Sequence, residues 1–300
     1  MKKMKIASWL LLLAILAGNA PAFAQAPPSG TGNACDMSGE WSARSREDWE
    51  DRALLGTHLG DYTGLPINDA ARQLARTWDA SILSLTTQQA LPHPPQYFMR
   101  GPGPNFRMTK FTNEDGEVLG YKLMGVYGRA DRTIWTDGRQ APPEYAEFTW
   151  DGFSTAVCER GMLKVTTTHM KYGYHRRNGV PASVKSIVTE YFIRRDGTHL
   201  THVQFTEDPV YLEEPFIRTT DFELNPSQNT GARGLGNEIV DEIVTWPKGY
   251  VPSFPLDTLP TEFANDLGLP FEATQGGKET IYPEYLIKLK RMMSEMKSKR

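Results

Sequence analysis

Between Phe106 and Leu224 the chain breaks into short segments rich in Val, Thr, Tyr, Phe and Trp, punctuated by Gly, Asp and Asn. FRMTKFT, EVLGYKLMGVY, RTIWTDG, YAEFTWDG, STAVCER, MLKVTTTHMKY, SIVTEYFIRR, THLTHVQF and PFIRTTDFEL follow one another with no helical pattern between them. Residues of this kind fit a pleated, half-buried surface. Parallel neighbours would need long, usually helical, connections. The pattern predicts a mainly β fold of about nine or ten strands, an antiparallel barrel or sandwich with a few peripheral helices. Trp150–Pro181 lies at its centre: a strand, a tight turn at Glu159-Arg160-Gly161, a long second strand and a polar turn at Arg176–Pro181.

Residues 1–24 read as an export signal. Lys2, Lys3 and Lys5 precede an apolar run, Ile6 to Ala17, that is too short to span a bilayer comfortably. Ala22-Phe23-Ala24 supplies small residues at the positions a signal peptidase reads. An uncleaved anchor is the alternative, but Gly18, Asn19 and Pro21 break the run. The predicted location is periplasmic or secreted. Removal of residues 1–24 takes away three lysines and no acid, which moves the net charge from −3 to −6. That balance speaks against a nucleic-acid partner, which usually needs a basic face. No other apolar run is long enough to cross a membrane, so no integral membrane segment is expected in the mature chain. Residues 25–36 read as a polar linker, 37–225 as the β domain, and 226–300 as an extension with helices packed on the barrel. Cys35 and Cys158 either form one disulfide, tying the N-terminal segment to the central hairpin, or remain two thiols.

Three helices are expected. Pro66 to Ala80 places Ala70, Ala71, Leu74, Ala75 and Trp78 on one face, with Asn68 or Asp69 as cap. Pro260 to Gly268 places Phe263 and Leu267 inward. Tyr282 to Lys297 is basic and amphipathic, with Tyr285, Leu286, Leu289, Met293 and Met296 as its stripe. Asn237–Trp246 is ambiguous between helix and strand. Leu91–Pro95 must be extended around His93.

Several segments together carry a resemblance. They are IWTDGR (134–139), PPEY (142–145), WDGFST (150–155), VTTTHMK (165–171), RRNGVPAS (176–183), DPVYLEEP (208–215) and GGKETIYPEY (276–285), with GLPINDAAR (64–72) and TWDAS (77–81). This set resembles a large family of exported bacterial proteins of uncharacterised function. The likeness spans most of the chain after residue 24. It implies a β-barrel of lipocalin-like shape and brings no reaction with it. Gly39-Glu40-Trp41 is similar to the Gly-x-Trp signature of lipocalin-type barrels, where the Trp plugs the closed end. A plain core tryptophan is the alternative.

Candidate site residues come from strand alternation. On Leu163–His169, alternation puts Leu163, Val165, Thr167 and His169 on one face, so His169 is expected inward near the barrel mouth. A histidine there suits proton transfer or ligand orientation, because its pKa lies near neutrality. A core histidine held by one hydrogen bond is the alternative. Val188, Glu190 and Phe192 share a face, as do Phe216, Arg218, Thr220 and Phe222. Glu190 or Asp221 would orient His169, and an inward Arg218–Glu190 pair would need a partner or ligand to offset its burial. Tyr97, Trp135, Tyr172 and Arg218 are candidate ligand contacts.

Metal and cofactor signals are absent from the sequence. His199 and His202 fall on opposite faces of a strand, and no His-Glu-x-x-His motif occurs. Gly152-Phe-Ser154-Thr-Ala156 lacks the last glycine of a nucleophile elbow. The expected function is binding of a small hydrophobic or aromatic molecule in the barrel. The alternatives are a cofactor-free lyase, isomerase or hydrolase using His169, and a structural envelope protein. The sequence leaves the oligomeric state open.

Overall fold

The computed structural model describes residues 35–44, 58–77, 94–97, 105–125, 131–176, 178–228, 259 and 261–298. The expected export signal and most of the linker, Trp78–Ala80, His93 and the ambiguous Asn237–Trp246 lie outside the described residues. The strands are β1 (Gly39–Ala43), β2 (Phe106–Thr112), β3 (Val118–Gly125), β4 (Arg132–Trp135), β5 (Phe153–Glu159) and β6 (Met162–Thr168). They continue with β7 (Gly173–Tyr174), β8 (Pro181–Ala182), β9 (Ile187–Arg194), β10 (His199–Glu207) and β11 (Phe216–Leu224). The helices are α1 (Asp69–Arg76), α2 (Glu262–Asp266) and α3 (Tyr285–Ser298). Nine strands close into a barrel in the order β1-β11-β10-β9-β6-β5-β4-β3-β2, and β7 and β8 form a separate two-stranded sheet. The protein is thus a lipocalin-like β-barrel with few peripheral helices. No helix among the described residues is long and apolar enough to cross a membrane.

One seam of the barrel departs from the antiparallel expectation. β4 and β5 run parallel, pairing Ile134 with Ser154 and Trp135 with Thr155. The cause lies in YAEFTWDG, expected as a strand. This segment makes a single bridge, Thr149 to Met170, and is otherwise loop. Pro142 and Pro143 have no N–H to give to a ladder, and Tyr145 is 90% exposed. With that strand missing, residues 136–152 carry the chain back to the end where β4 began. A parallel pair needs a crossover of about a dozen residues or more, and this segment supplies it.

Strand alternation fills the interior. At one end Trp41, Phe106, Met108, Leu123, Phe192, Leu200 and Phe222 form a buried apolar cluster. Phe106 meets Phe222 and Phe192 edge-on at 4.9 Å and 6.0 Å between ring centroids. Full burial of one such side chain stabilises by about 1.5–3 kcal/mol. Trp41 is fully buried in this cluster, its indole Nε1 donating to the Met37 carbonyl at 3.0 Å. Cys35 and Cys158 are joined, with Cα atoms 5.8 Å apart, and the Tyr121 hydroxyl donates to the Cys35 carbonyl at 2.9 Å. The disulfide therefore ties the N-terminal segment to the β5–β6 hairpin.

A cap covers the other end. Tyr62, Leu65, Ile67, Ala71, Ala75, Val180 and Leu212 make a second buried cluster. Asn68 caps α1 by accepting from the Ala71 N–H at 3.0 Å. The helix is shorter and its buried face narrower than the sequence suggested: Ala71 and Ala75 are buried, whereas Ala70 and Leu74 face solvent. Polar ties decide its orientation. Arg76 donates to the Gln275 side-chain oxygen at 3.1 and 3.0 Å, and Arg72 to the Gln275 carbonyl at 2.8 Å. These contacts roll α1 so that small alanines, not Leu74, meet the cap. In α2, Ala264 is buried and Leu267 exposed, the reverse of the expected Leu267. Phe263 instead stacks on His58 at 5.8 Å.

The disulfide bridges a sequence separation of 123 residues, and such a cross-link restricts the unfolded chain. Replacing both cysteines by alanine is expected to lower unfolding free energy by about 2–4 kcal/mol. Denaturant titration of the double variant beside the wild type, with and without reductant, measures this.

Candidate functional site

Alternation and register bring five polar side chains together inside the barrel. Arg132 comes from β4, Ser154 from β5, Thr167 from β6, Glu190 from β9 and His202 from β10. All are buried. Arg132 Nη2 donates to Glu190 Oε1 at 2.7 Å and lies 2.6 Å from Oε2. Arg132 Nη1 donates to Thr167 Oγ1 at 3.1 Å, which is 2.8 Å from Ser154 Oγ. His202 Nε2 is 2.9 Å from Glu190 Oε1, and its ring lies 4.6 Å from that of Phe192.

The charges balance. Burial pushes the Glu190 carboxyl up, but Arg132 and His202 more than offset it and hold it below the ordinary glutamate range. Burial pushes His202 down, against the raising effect of Glu190. The cluster is then one guanidinium, one carboxylate and a neutral imidazole donating from Nε2. A pair like Arg132–Glu190 costs desolvation that apolar residues would not.

Nearer the mouth lies a second polar tier. Gln204 is the cross-strand neighbour of Glu190 and of Arg218. Its Nε2 donates to the Pro95 and Gln96 carbonyls, both at 3.3 Å, and to Thr206 Oγ1 at 3.1 Å. Pro95–Tyr97 is a single 3₁₀ turn. Its Gln96 is fully buried, and neither atom of its carboxamide has a hydrogen-bond partner among the described residues. An unmet buried polar group costs about 1–3 kcal/mol.

A separate anchor centres on Asp208. It accepts from Ser183 N–H and Oγ, both at 2.7 Å, from Ser186 Oγ at 3.0 Å and from Val210 N–H at 3.0 Å. Burial raises its carboxyl, but His175 and these donors outweigh it and hold it well below the usual carboxylate range. His175 is fully buried, 3.5 Å from Asp208 Oδ2, and burial holds its pKa down. Ser183 binds the aspartate and not the histidine, so this is a loop anchor rather than a nucleophile relay.

The sequence-derived candidates are dispersed. Glu190 is at the centre of the cluster. Arg218 points inward but donates to the His175 carbonyl at 2.9 Å, so it is Arg132 that pairs with Glu190. His169 leaves the alternation: β6 ends at Thr168, and His169 adopts φ 57°. Its Nε2 is 2.9 Å from the Pro143 carbonyl and its Nδ1 2.8 Å from Thr168 Oγ1. His169, expected inward by alternation, instead contacts the crossover loop. Asp221 faces outward and accepts from Thr201 Oγ1 at 2.6 Å. Trp135 also faces outward, since Ile134 is the inward residue, and lies under the Arg139 guanidinium at 3.3 Å. Tyr97 is buried in the mouth turn, and Tyr172 is exposed beside Tyr174.

Sequence reasoning missed Arg132, Ser154, His202, Gln204 and Gln96. Alternation along β10 carries the signal for two of them, since Leu200, His202, Gln204 and Thr206 share the inward face. A groove of about 840 Å³ on the outer wall beside β1 is lined by Glu40, Arg107, Lys110 and Gln228 among others. Its charges pair with carboxylates, Arg107 with Glu40 and Lys110 with Asp36, and it adds no group to the interior cluster. Among the described residues no group of three or more His, Cys, Asp or Glu is arranged to hold a metal ion. Comparison with protein-family models, with curated proteins and with solved structures found no match.

Two outcomes follow from the burial of these charges. Arg132→Met strands the Glu190 carboxylate and is expected to destabilise by about 3–5 kcal/mol, while Arg132→Met with Glu190→Met recovers most of the loss. Denaturant unfolding of the single and double variants measures both. His202 and His175 are depressed below the ordinary 6.5, so the unfolded chain binds protons that the folded one refuses. Their stabilisation is present above pH 6.5 and lost as pH falls below it, by up to about 1.4 kcal/mol per pH unit for each proton. Glu190, depressed from 4.5, adds a loss in the same direction at lower pH. Unfolding free energies measured from pH 8 down to 4 should show this slope, and His202→Gln should flatten its upper part.

Proposed function

We propose that this chain is an exported binding protein that holds a small hydrogen-bonding molecule in the mouth half of its barrel. The observation that carries the reading is the Gln96 carboxamide, fully buried and without a hydrogen-bond partner among the described residues. A group of that kind calls for an explanation, and a bound molecule or water supplies one. Gln204 links this carboxamide turn to the Arg132–Glu190–His202 cluster, so donors and acceptors converge from several strands. Few convergent polar groups in an otherwise apolar setting are what a ligand site requires.

The expected ligand was hydrophobic or aromatic. The apolar half of the barrel supports a different chemistry, because Trp41, Phe106, Phe192 and Phe222 already fill it. A molecule that both donates and accepts hydrogen bonds matches the carboxamide tier better. Export rests on the basic, apolar and small-residue pattern of residues 1–24, and the family resemblance agrees with it. A second reading, a cofactor-free enzyme, moves from His169 to His202, whose Nε2 is 2.9 Å from Glu190.

Native mass spectrometry of gently purified protein is the test. A co-purifying small polar molecule, lost on denaturation, is the expected result. Gln96→Leu should abolish that adduct yet leave the unfolding transition of the empty protein unchanged or raised, because an unmet polar group has been removed. A bare mass, together with no thermal stabilisation by any member of a polar metabolite library, would overturn the binding reading. If the ligand is chemically converted and His202→Gln stops conversion without stopping binding, the enzyme reading takes its place.

A further inference from the structure

The turn Pro95–Tyr97 and the β10 side chain bonded to it leave a defined set of hydrogen-bonding groups unanswered. Gln96 and Gln204 are both fully buried. Among the described residues, neither Oε1 nor Nε2 of Gln96 has a hydrogen-bond partner, and nor has Oε1 of Gln204. The rotation of the Gln204 amide is fixed by its surroundings. Its nitrogen meets the Pro95 and Gln96 carbonyls, both at 3.3 Å, and Thr206 Oγ1 at 3.1 Å. A carbonyl can be met only by a donor, so the opposite rotation would set oxygen against oxygen. Gln204 Oε1 is therefore an acceptor that calls for an N–H or O–H. Gln96 presents one acceptor and one donor group in either rotation.

The two carboxamides belong to one place, since Gln204 binds the Gln96 main-chain carbonyl directly. Strand β7 backs the turn closely: a Cβ added to Gly173 would lie 2.9 Å from Pro94 Cγ and 3.4 Å from Gln96 Nε2. Together the unmet groups ask for at least two donors and one acceptor. A carboxylate brings acceptors only and leaves two buried oxygens unmet. An ester or ketone fails for the same reason, and an ammonium group lacks the acceptor. The inward ion pair Arg132–Glu190 is matched within itself, so it asks for no counter-charge. A cis-amide edge answers Gln96 with two parallel hydrogen bonds, the pairing by which a carboxamide reads the donor–acceptor edge of adenine. A second N–H across the same carbonyl, as in a urea, answers Gln204.

We infer that the molecule held in the mouth is neutral and of the amide–urea class, with a cis-amide edge on the Gln96 carboxamide and a further N–H on Gln204 Oε1. This rests on the reading that the mouth binds a ligand, and it adds the chemistry of that ligand. Gln96 sets the preference for an amide over an ester. Gln204 sets the preference for a urea over an amide.

Titration of the full chain with matched five-membered rings, followed by NMR, tests it. The rings are 2-imidazolidinone with two N–H groups, 2-pyrrolidinone with one and γ-butyrolactone with none, and cis-1,2-cyclopentanediol serves as the hydroxyl comparator. Affinity should fall about tenfold for each N–H removed. In Gln96→Met the spread between the urea and the lactone should shrink from about a hundredfold to about tenfold, because Gln204 alone still calls for a donor. An unfolding transition like that of the wild type shows that the variant is folded, and the wild-type series tests the assignment without it. Equal affinities across the rings, tighter binding of the lactone or the diol, or no binding of any ring overturns the amide–urea assignment. If native mass spectrometry still shows a co-purifying molecule of another class, such as a carboxylic acid, the mouth-binding reading stands and only the assignment falls. Absence of both that adduct and any stabilising compound removes the two together.

Discussion

The ion pair between Arg132 and Glu190 is the constraint around which the barrel interior is arranged. It joins β4 to β9 across the inside of the barrel, with Arg132 Nη2 within 2.7 Å of both carboxylate oxygens. Both side chains are buried, so their neighbours must serve the pair. Thr167 accepts from the guanidinium, Ser154 bonds to Thr167, and His202 occupies the carboxylate from the other side. Replacing any of these by an apolar side chain leaves a polar partner unmet in a medium of low dielectric, where that is most costly. The cluster is thus a chain of obligations spread over five strands rather than a single contact.

The two halves of the barrel follow from this. Below the cluster, the interior is a set of buried aromatic and aliphatic side chains that includes Trp41, and the Cys35–Cys158 bridge ties the N-terminal segment to the barrel wall. Above it, the lining turns polar through Gln204, Thr206 and the Gln96 turn, and the cap built from α1 and residues 271–281 covers the opening. Apolar packing in one half offsets the cost of burying polar groups in the other.

The crossover loop shows how a conspicuous residue can serve architecture. Because β4 and β5 are parallel, residues 136–152 must lie along the barrel without a partner strand. His169 fixes them there: its carbonyl accepts from the Thr149 N–H at 2.9 Å, and its ring reaches the Pro143 carbonyl. The left-handed backbone at His169 turns the side chain out of the strand's alternation and toward the loop. Alternation alone puts this side chain on the inward face, and one backbone dihedral turns it toward the loop instead.

Much of the fold was legible because strand signals are local. Period-two alternation put Glu190, Arg218 and Phe222 inward, and turn residues marked the hairpins. Asn68 announced the start of α1 for the same reason, since a cap depends on a few neighbouring residues. The site was legible only in part. Alternation told that Glu190 faces inward, but not that Arg132 and His202 would meet it. Which side chains face one another across a barrel depends on strand number, tilt and stagger together. Those are properties of the closed sheet, and no segment carries them alone. The sequence by itself determined a mainly β fold of short, mostly antiparallel strands, with Glu190 and Arg218 on inward faces. The tertiary structure decided the parallel seam, the disulfide, the clamp at His169 and the partner of the buried carboxylate, because each depends on how distant strands come together.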